Sequence, residues 1–191
     1  MLAVGIDLAG TENRPSGFCS LFEMEAKTCL IYSDKEIIQK IKELKPEIIA
    51  IDAPLTLPKG RKSIEDRTNV HLRECDKELL RRGIKFFPIT LGPMRKLTER
   101  GIKIKKLLES EGFKAIEVYP GGAQDVLSIP RKQRGLEKLR KGLEKLGIKG
   151  LTKDMSNHEL DAVTSALVGK FFLEGTSETL GTEDGIVMPK S

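Results

Sequence analysis
Three short apolar runs in this chain each carry an acid at or near their end. They are Leu2-Ala-Val-Gly-Ile-Asp7, Ile48-Ile-Ala-Ile-Asp52 and Ala115-Ile-Glu117-Val-Tyr119. Runs of this length, bounded by turn residues, read as buried strands. Ser16–Phe22 and Thr28–Tyr32 add two more, joined by a hairpin turn within Glu23–Lys27. Apolar positions then change to helical spacing. Ile37, Ile38, Ile41 and Leu44 make one stripe behind a capping box of Ser33 and Glu36, and Leu160, Val163, Leu167 and Phe171 make another behind Ser156 and Glu159. The order is strand, strand, strand, helix, strand, an interruption, then strand and helices.

The interruption covers about 54–113. It opens with a proline-bounded basic loop and predicts a helix over Val70–Arg82, stopped by Gly83, and another over about Met94–Glu111, with a possible break at Gly101. After Tyr119 the chain turns at Pro120-Gly-Gly122, and a short helix is expected over Ala123–Ile129. A basic helical segment follows from Pro130, with Leu136, Leu139, Leu143 and Leu146 at helical spacing. The expected architecture is α/β: a mixed five-stranded sheet, three antiparallel strands then two parallel, flanked by helices, with a helical insertion after strand 4. The whole of 1–191 reads as one domain, with 54–113 inserted and 174–191 as an acidic tail (Glu174, Glu178, Glu183, Asp184).

Composition adds limits. The 39% apolar content can fill a core. No run is long and apolar enough to span a bilayer, and the N-terminus lacks the regions of a signal peptide, so a soluble cytoplasmic protein without a membrane partner is expected. Cys19, Cys29 and Cys75 form no metal or disulfide pattern and read as small buried groups. The net charge is +5, but between Arg131 and Lys153 nine Lys or Arg against two Glu leave +7. That suits a polyanionic partner such as nucleic acid; a solvated helix face is the plainer alternative.

The acids carry the candidate chemistry. An acid buried at a strand end is costly without a partner, and a bound cation is one. Parallel strands end on one side of a sheet, so Asp7, Asp52 and Glu117 can converge there. His158 and Asp161, three apart, share a helix face, and Ala162, Ser165 and Gly169 leave that face narrow enough to lie close against a sheet. Mg²⁺ or Mn²⁺ prefers such carboxylate oxygens, and two ions can align a water with a phosphodiester. Each member also has a plainer role: Asp52 before Ala-Pro as a turn former, Glu117 as a partner for a surface lysine, Asp161 as a helix-dipole acid.

The motifs Gly5-Ile-Asp7, Ile51-Asp52-Ala-Pro54, Arg73-Glu-Cys75-Asp76, Glu117-Val-Tyr-Pro120 and His158-x-x-Asp161-Ala162 together resemble a domain-of-unknown-function family described as predicted RNase H-fold nucleases. The last motif is similar to that of RuvC-type junction resolvases. The resemblance implies an RNase H-like fold and a metal-dependent nuclease. Asp7, Asp52, Glu117 and Asp161 would be the metal ligands and His158 a further catalytic residue. Arg73 and Asp76 match a motif inside the insertion, which implies substrate contact or a salt link holding the insertion shut. Many RNase H enzymes place a catalytic Glu on the first helix. Here that helix offers Glu36 and Glu43, so either Glu117 takes that place or the site has three acids.

On this reading Thr11, Lys59, Arg61, Arg73, Asp76, Arg131, Lys132 and Arg134 contact substrate, most of them through backbone phosphates. Two other readings stay open. The Gly5–Thr11 stretch resembles the first phosphate loop of actin-like and sugar-kinase phosphotransferases, which would need a homodimer to complete a nucleotide site. A non-catalytic RNase H-like nucleic-acid-binding or scaffold protein, its acids idle, is the other.

Overall fold
The structure, a computed structural model, describes residues 1–182 and 185–190. A single mixed sheet runs through the centre in the order β3-β2-β1-β4-β5-β7-β6. Strands β1 (Leu2–Asp7), β2 (Ser16–Phe22) and β3 (Glu25–Ile31) form an antiparallel meander. Beyond β1, strands β4 (Ile48–Asp52) and β5 (Ala115–Val118) run parallel to it. Helices α1 (Asp34–Leu44) and α3 (Met94–Ser110) cover one face, with Ile37, Ile41, Ile104 and Leu108 packed on Val4, Ile6, Ile49 and Ile51. On the other face lie α4 (Pro120–Val126), α5 (Leu136–Lys145) and α6 (Asn157–Leu173). The remaining helix, α2 (Glu74–Arg81), packs near the far edge.

The sheet has seven strands, not five. The expected acidic tail is a hairpin: β7 (Ile186–Pro189) pairs in parallel with β5, and β6 (Ser177–Leu180) pairs antiparallel with β7. Ile186, Val187 and Met188 are buried there, which offsets the polar surroundings. Of the four acids, Glu174 pairs with Lys170 and Glu178 with Arg82. Glu183 and Asp184 lie outside the described residues.

Several boundaries also move. The β2–β3 turn is only Glu23-Met24, both at positive φ (47° and 67°), the geometry that matches the twist of a two-residue hairpin. Helix α2 starts at Glu74 rather than Val70, because Arg61 holds the preceding segment as a loop. Its guanidinium donates to the carbonyls of Ile64, Asp66, Thr68 and Val70. Helix α3 passes through Gly101 unbroken: a Cβ there would stand 2.6 Å from the Pro54 carbonyl oxygen, so glycine lets the helix cross the end of β4. Helix α4 begins at Pro120 itself, a favoured first-turn position. The basic segment opens as a 3₁₀ turn over Lys132–Arg134, and α5 follows.

Both capping boxes form. Ser33 and Glu36 close the start of α1, while Ser156 and Glu159 close that of α6, where Glu159 also accepts from Thr28 Oγ1 at 2.8 Å. Helix α6 is thereby fixed in rotation as well as in origin. It lies nearly backbone to backbone on the sheet. A Cβ on Gly5 would fall 2.0 Å from the Ala162 carbonyl oxygen, and one on Gly17 would fall 1.9 Å from that of His158. Its outer stripe of Leu160, Val163, Leu167 and Phe171 packs with Leu139 and Leu143 of α5. Gly17→Ala is therefore expected to lose about 2–3 kcal/mol, as overpacking against rigid backbone does. Urea denaturation checks this, and an unchanged midpoint would mean that the helix can lift off without penalty.

Candidate active site
Register explains which acids meet. Asp7 and Asp52 are direct partners across the parallel β1–β4 pair, so their side chains leave the same face at adjacent strand ends. That face carries α6: Ala3, Ile48 and Ala50, of the same parity, pack with Val168. Helix α6 then sets His158 and Asp161 over the strand ends. His158 Nδ1 lies 2.6 Å from Asp7 Oδ2. Asp161 is buried at 3% exposure, its Oδ1 accepting from Gln124 Nε2 at 3.0 Å and its Oδ2 from Lys132 Nζ at 2.6 Å. Gln124 reaches in from α4 and is oriented by a second bond to Thr164 Oγ1 at 3.1 Å.

The electrostatics describe a crowded anionic site. Burial pushes the Asp52 carboxyl well above the usual range, and the neighbouring charges of Asp7 and Asp161 push it further. Burial also raises Asp161, more than Lys132 and Gln124 lower it. His158 is raised by its hydrogen bond to Asp7, against the opposing effect of burial. Lys132 is half-buried; burial works against its charge, yet the Asp161 carboxylate outweighs it and holds the ammonium protonated. Lys132 is thus the ammonium that the three acids share.

Glu117 stands apart. It pairs in register with Ile51, one residue short of Asp52, so it leaves the opposite face of the sheet. Both its oxygens are engaged: Arg73 donates to Oε1 at 2.8 Å and to Oε2 at 2.7 Å, and the Leu55 N–H donates to Oε2 at 2.8 Å. Arg73 also donates to both oxygens of Asp76, at 2.9 and 3.1 Å. Arg73, Asp76 and Glu117 are 6%, 1% and 5% exposed. They form a buried ionic triad tying the insertion to β5.

The other expected contacts divide. Thr11 donates to Asn13 at 2.6 Å, and Arg61 is spent on its own loop. Arg131 is paired with Asp125 and lies over the Tyr119 ring. Lys59 and Arg134 face solvent. Glu36 caps its helix and Glu43 accepts from Gln39, so neither enters the acid cluster. Along the basic segment Arg140 pairs with Glu137 and Glu144, and Lys138, Lys145 and Lys149 are exposed.

Two residues near the site were not singled out from sequence. Gln124 carries no signal beyond its place in a short helix. Arg100 is a buried arginine on the insertion helix, donating to Asp34 Oδ1 at 2.8 Å, the Ala9 carbonyl at 2.7 Å and the Tyr32 carbonyl at 2.6 Å. It clamps the turn leaving β1, and only its place on the helix's apolar side hinted at it.

The chemistry of the donors suits a hard divalent cation: three carboxylates stand at one sheet end within electrostatic reach of one another, and the Asp52 carboxylate makes no hydrogen bond among the described residues. Lys132 takes one oxygen of Asp161, and among the described residues no three His, Cys, Asp or Glu side chains are placed as a group that could hold a metal ion.

This is an RNase H-like fold of the RuvC kind. The structure of Thermus thermophilus RuvC matches at TM-score 0.53 and 13% identity, over 92% of this chain and 96% of that one. T. thermophilus RuvC in complex with Holliday junction substrate matches at 0.52 and 15%, with the same coverage. The chain itself belongs to the family described as protein of unknown function DUF429, whose model matches residues 5–185. Comparison of the sequence with curated proteins finds no match. No helix among the described residues is long and apolar enough to cross a membrane.

Proposed function
We propose that this protein is a metal-dependent nuclease that hydrolyses phosphodiester bonds of a nucleic acid. The observation that carries the reading is the pairing of Asp7 with Asp52 at adjacent parallel strand ends, closed by Asp161 from α6 and balanced by one lysine. The likeness to RuvC, seen in one structure with a Holliday junction, supports a nucleic-acid substrate. Asp7, Asp52 and Asp161 would hold Mg²⁺ or Mn²⁺, which when bound supplies charge stabilisation at the phosphate and an acidified water. Three acids, with Glu117 turned to the other face, are the set this reading uses.

The chain's own groups do the rest. Asp7 holds the Nδ1–H of His158, which leaves Nε2 to accept or return a proton at the reacting oxygens. Lys132, the ammonium beside the three carboxylates, would pair with a phosphate oxygen. Gln124 keeps Asp161 aimed. Exposed cations from Arg134 to Lys149 hold the flanking backbone, so affinity falls with salt.

The test is calorimetric titration with Mn²⁺ on the native protein and on Asp7→Asn, alongside cleavage of single-stranded, duplex and four-way-junction DNA and of RNA. Native binding that weakens at least tenfold in Asp7→Asn, with cleavage lost at unchanged melting temperature, is expected. Nucleic-acid binding that persists in both proteins, with neither Mn²⁺ uptake nor cleavage, would favour the idle-acid scaffold instead.

A further inference from the structure
Beside the acids lies a cavity of about 300 Å³, at the small end for ligand pockets. Its walls are mostly apolar and include three aromatics, Phe86 and Phe87 from the loop after α2 and Tyr119 from the end of β5, while the paired Arg73, Asp76 and Glu117 form part of its lining. Asp52 and Lys132 also line it, and Gln133 is shared between it and a neighbouring cleft. Phe87 is 79% exposed, a large aromatic in the lining with little of its own surface covered. The Gln133 amide makes no hydrogen bond among the described residues. On the far side of Gln133 a second cleft of about 760 Å³ begins, lined by Lys85, Arg131 and Arg134.

These features fit one chemistry. A cavity with aromatic residues in its wall takes a planar heterocycle, a side-chain amide in its lining reads a base edge, and cations in the adjoining cleft take the backbone. We propose that this cavity holds a single unstacked nucleobase of the bound strand, next to the phosphate that faces Asp7, Asp52 and Asp161. The base stacks on Phe87, Gln133 meets its polar edge, and the chain of phosphates continues over Lys85 and Arg134. The site thereby selects strands in which a base is free to leave its stack, such as single strands, ends and branch points, over uninterrupted duplex. The inference rests on the nucleic-acid reading above and adds its substrate class.

The probe is a 12-residue oligothymidylate compared with the same sugar-phosphate backbone lacking every base, so that charge is equal. Binding is read by fluorescence anisotropy in EDTA on the native protein, Phe87→Ala and Phe87→Trp. Phe87 is exposed, so its truncation leaves folding intact. The native protein is expected to prefer the base-bearing strand by about tenfold, as one stacked base provides. Phe87→Ala should lose that preference while keeping its affinity for the bare backbone, and Phe87→Trp should keep both. Equal weakening of both strands by Phe87→Ala, or no effect on either, overturns the pocket and leaves the acid site standing. Failure of the native protein to bind either strand overturns both the pocket and a nucleic-acid substrate.

Discussion

Asp52→Asn is expected to melt about 4 °C above the native protein at pH 8 in EDTA, while its divalent-cation binding disappears. The carboxyl of Asp52 is raised by burial first, then by Asp7 and Asp161, so keeping it ionised in the folded chain costs free energy. The sign follows from linkage. A folded pKa above the unfolded one contributes stability that is complete below the ordinary carboxylate range and is lost as pH rises through the raised value. Asp161 and His158 are shifted in the same direction, Asp161 by burial and His158 by its bond to Asp7. The metal-free native protein should therefore lose thermal stability progressively as pH rises above the ordinary carboxylate range and on through the ordinary histidine range, the direction set by these upward shifts.

Each pH unit of forced ionisation is about 1.4 kcal/mol for a fully shielded group. Asp52 is partly open to the cleft, so about 1–2 kcal/mol in all is the reasonable scale. At about 2–4 °C per kcal/mol for a chain of this size, that gives the few degrees expected. Asn removes the charge and flattens the slope. Mn²⁺ at 100 times its dissociation constant should add about 2.7 kcal/mol to the native protein and nothing to the variant. Scanning calorimetry across pH, with and without Mn²⁺, reads all of this. A variant that melts lower than the native protein at every pH would show that the acid cluster is not under electrostatic stress.

Arg73→Ala is expected to have the largest effect on stability, about 3–5 kcal/mol, or roughly 10 °C in melting temperature. The substitution leaves Glu117 and Asp76 buried with four hydrogen bonds missing between them. It also removes the arginine that pins the insertion to β5. Arg73→Lys should recover little, because an ammonium cannot fork to two carboxylates at once. Glu117→Gln should cost less than Arg73→Ala, since Arg73 keeps Asp76 and the amide oxygen can still accept from Leu55. If Glu117 instead served the acid site, Arg73→Ala would leave the melt nearly unchanged and tighten Mn²⁺ binding. Thermal melts and Mn²⁺ titrations of the three variants separate the two cases.

The elements visible in the sequence are those that local pattern specifies. Strands β1, β4 and β5 are short apolar runs, and α1 and α6 begin at capping boxes whose two residues lie three apart. Strands β6 and β7 have four residues each, flanked by glycines and acids, and gain their strand character from pairing with β5 and with each other. Such non-local support leaves little trace in composition. The same division holds at the candidate site. Asp7, Asp52, His158 and Asp161 lie at strand ends or on one helix face, positions that periodicity reveals, and the structure brings these four together. Glu117 looks equivalent to Asp52 in its own run. Its face depends on the β4–β5 register, which a shift of one residue would reverse. The meeting of Lys132 and Gln124 at Asp161 depends on a 3₁₀ turn and a short helix whose placement no local pattern encodes.

The glycines under α6 have a further consequence. Where side chains separate a helix from a sheet, their rotamers can absorb a small displacement. Here the helix backbone rests on strand backbone at Gly5 and Gly17, and hard-core repulsion sets the gap. The distance from Asp161 on α6 to Asp7 and Asp52 on the sheet is then a fixed dimension of the molecule, insensitive to repacking elsewhere in the core. A protein built this way can accumulate core substitutions without its carboxylates drifting apart, and its tolerance to change should end abruptly at those two glycines.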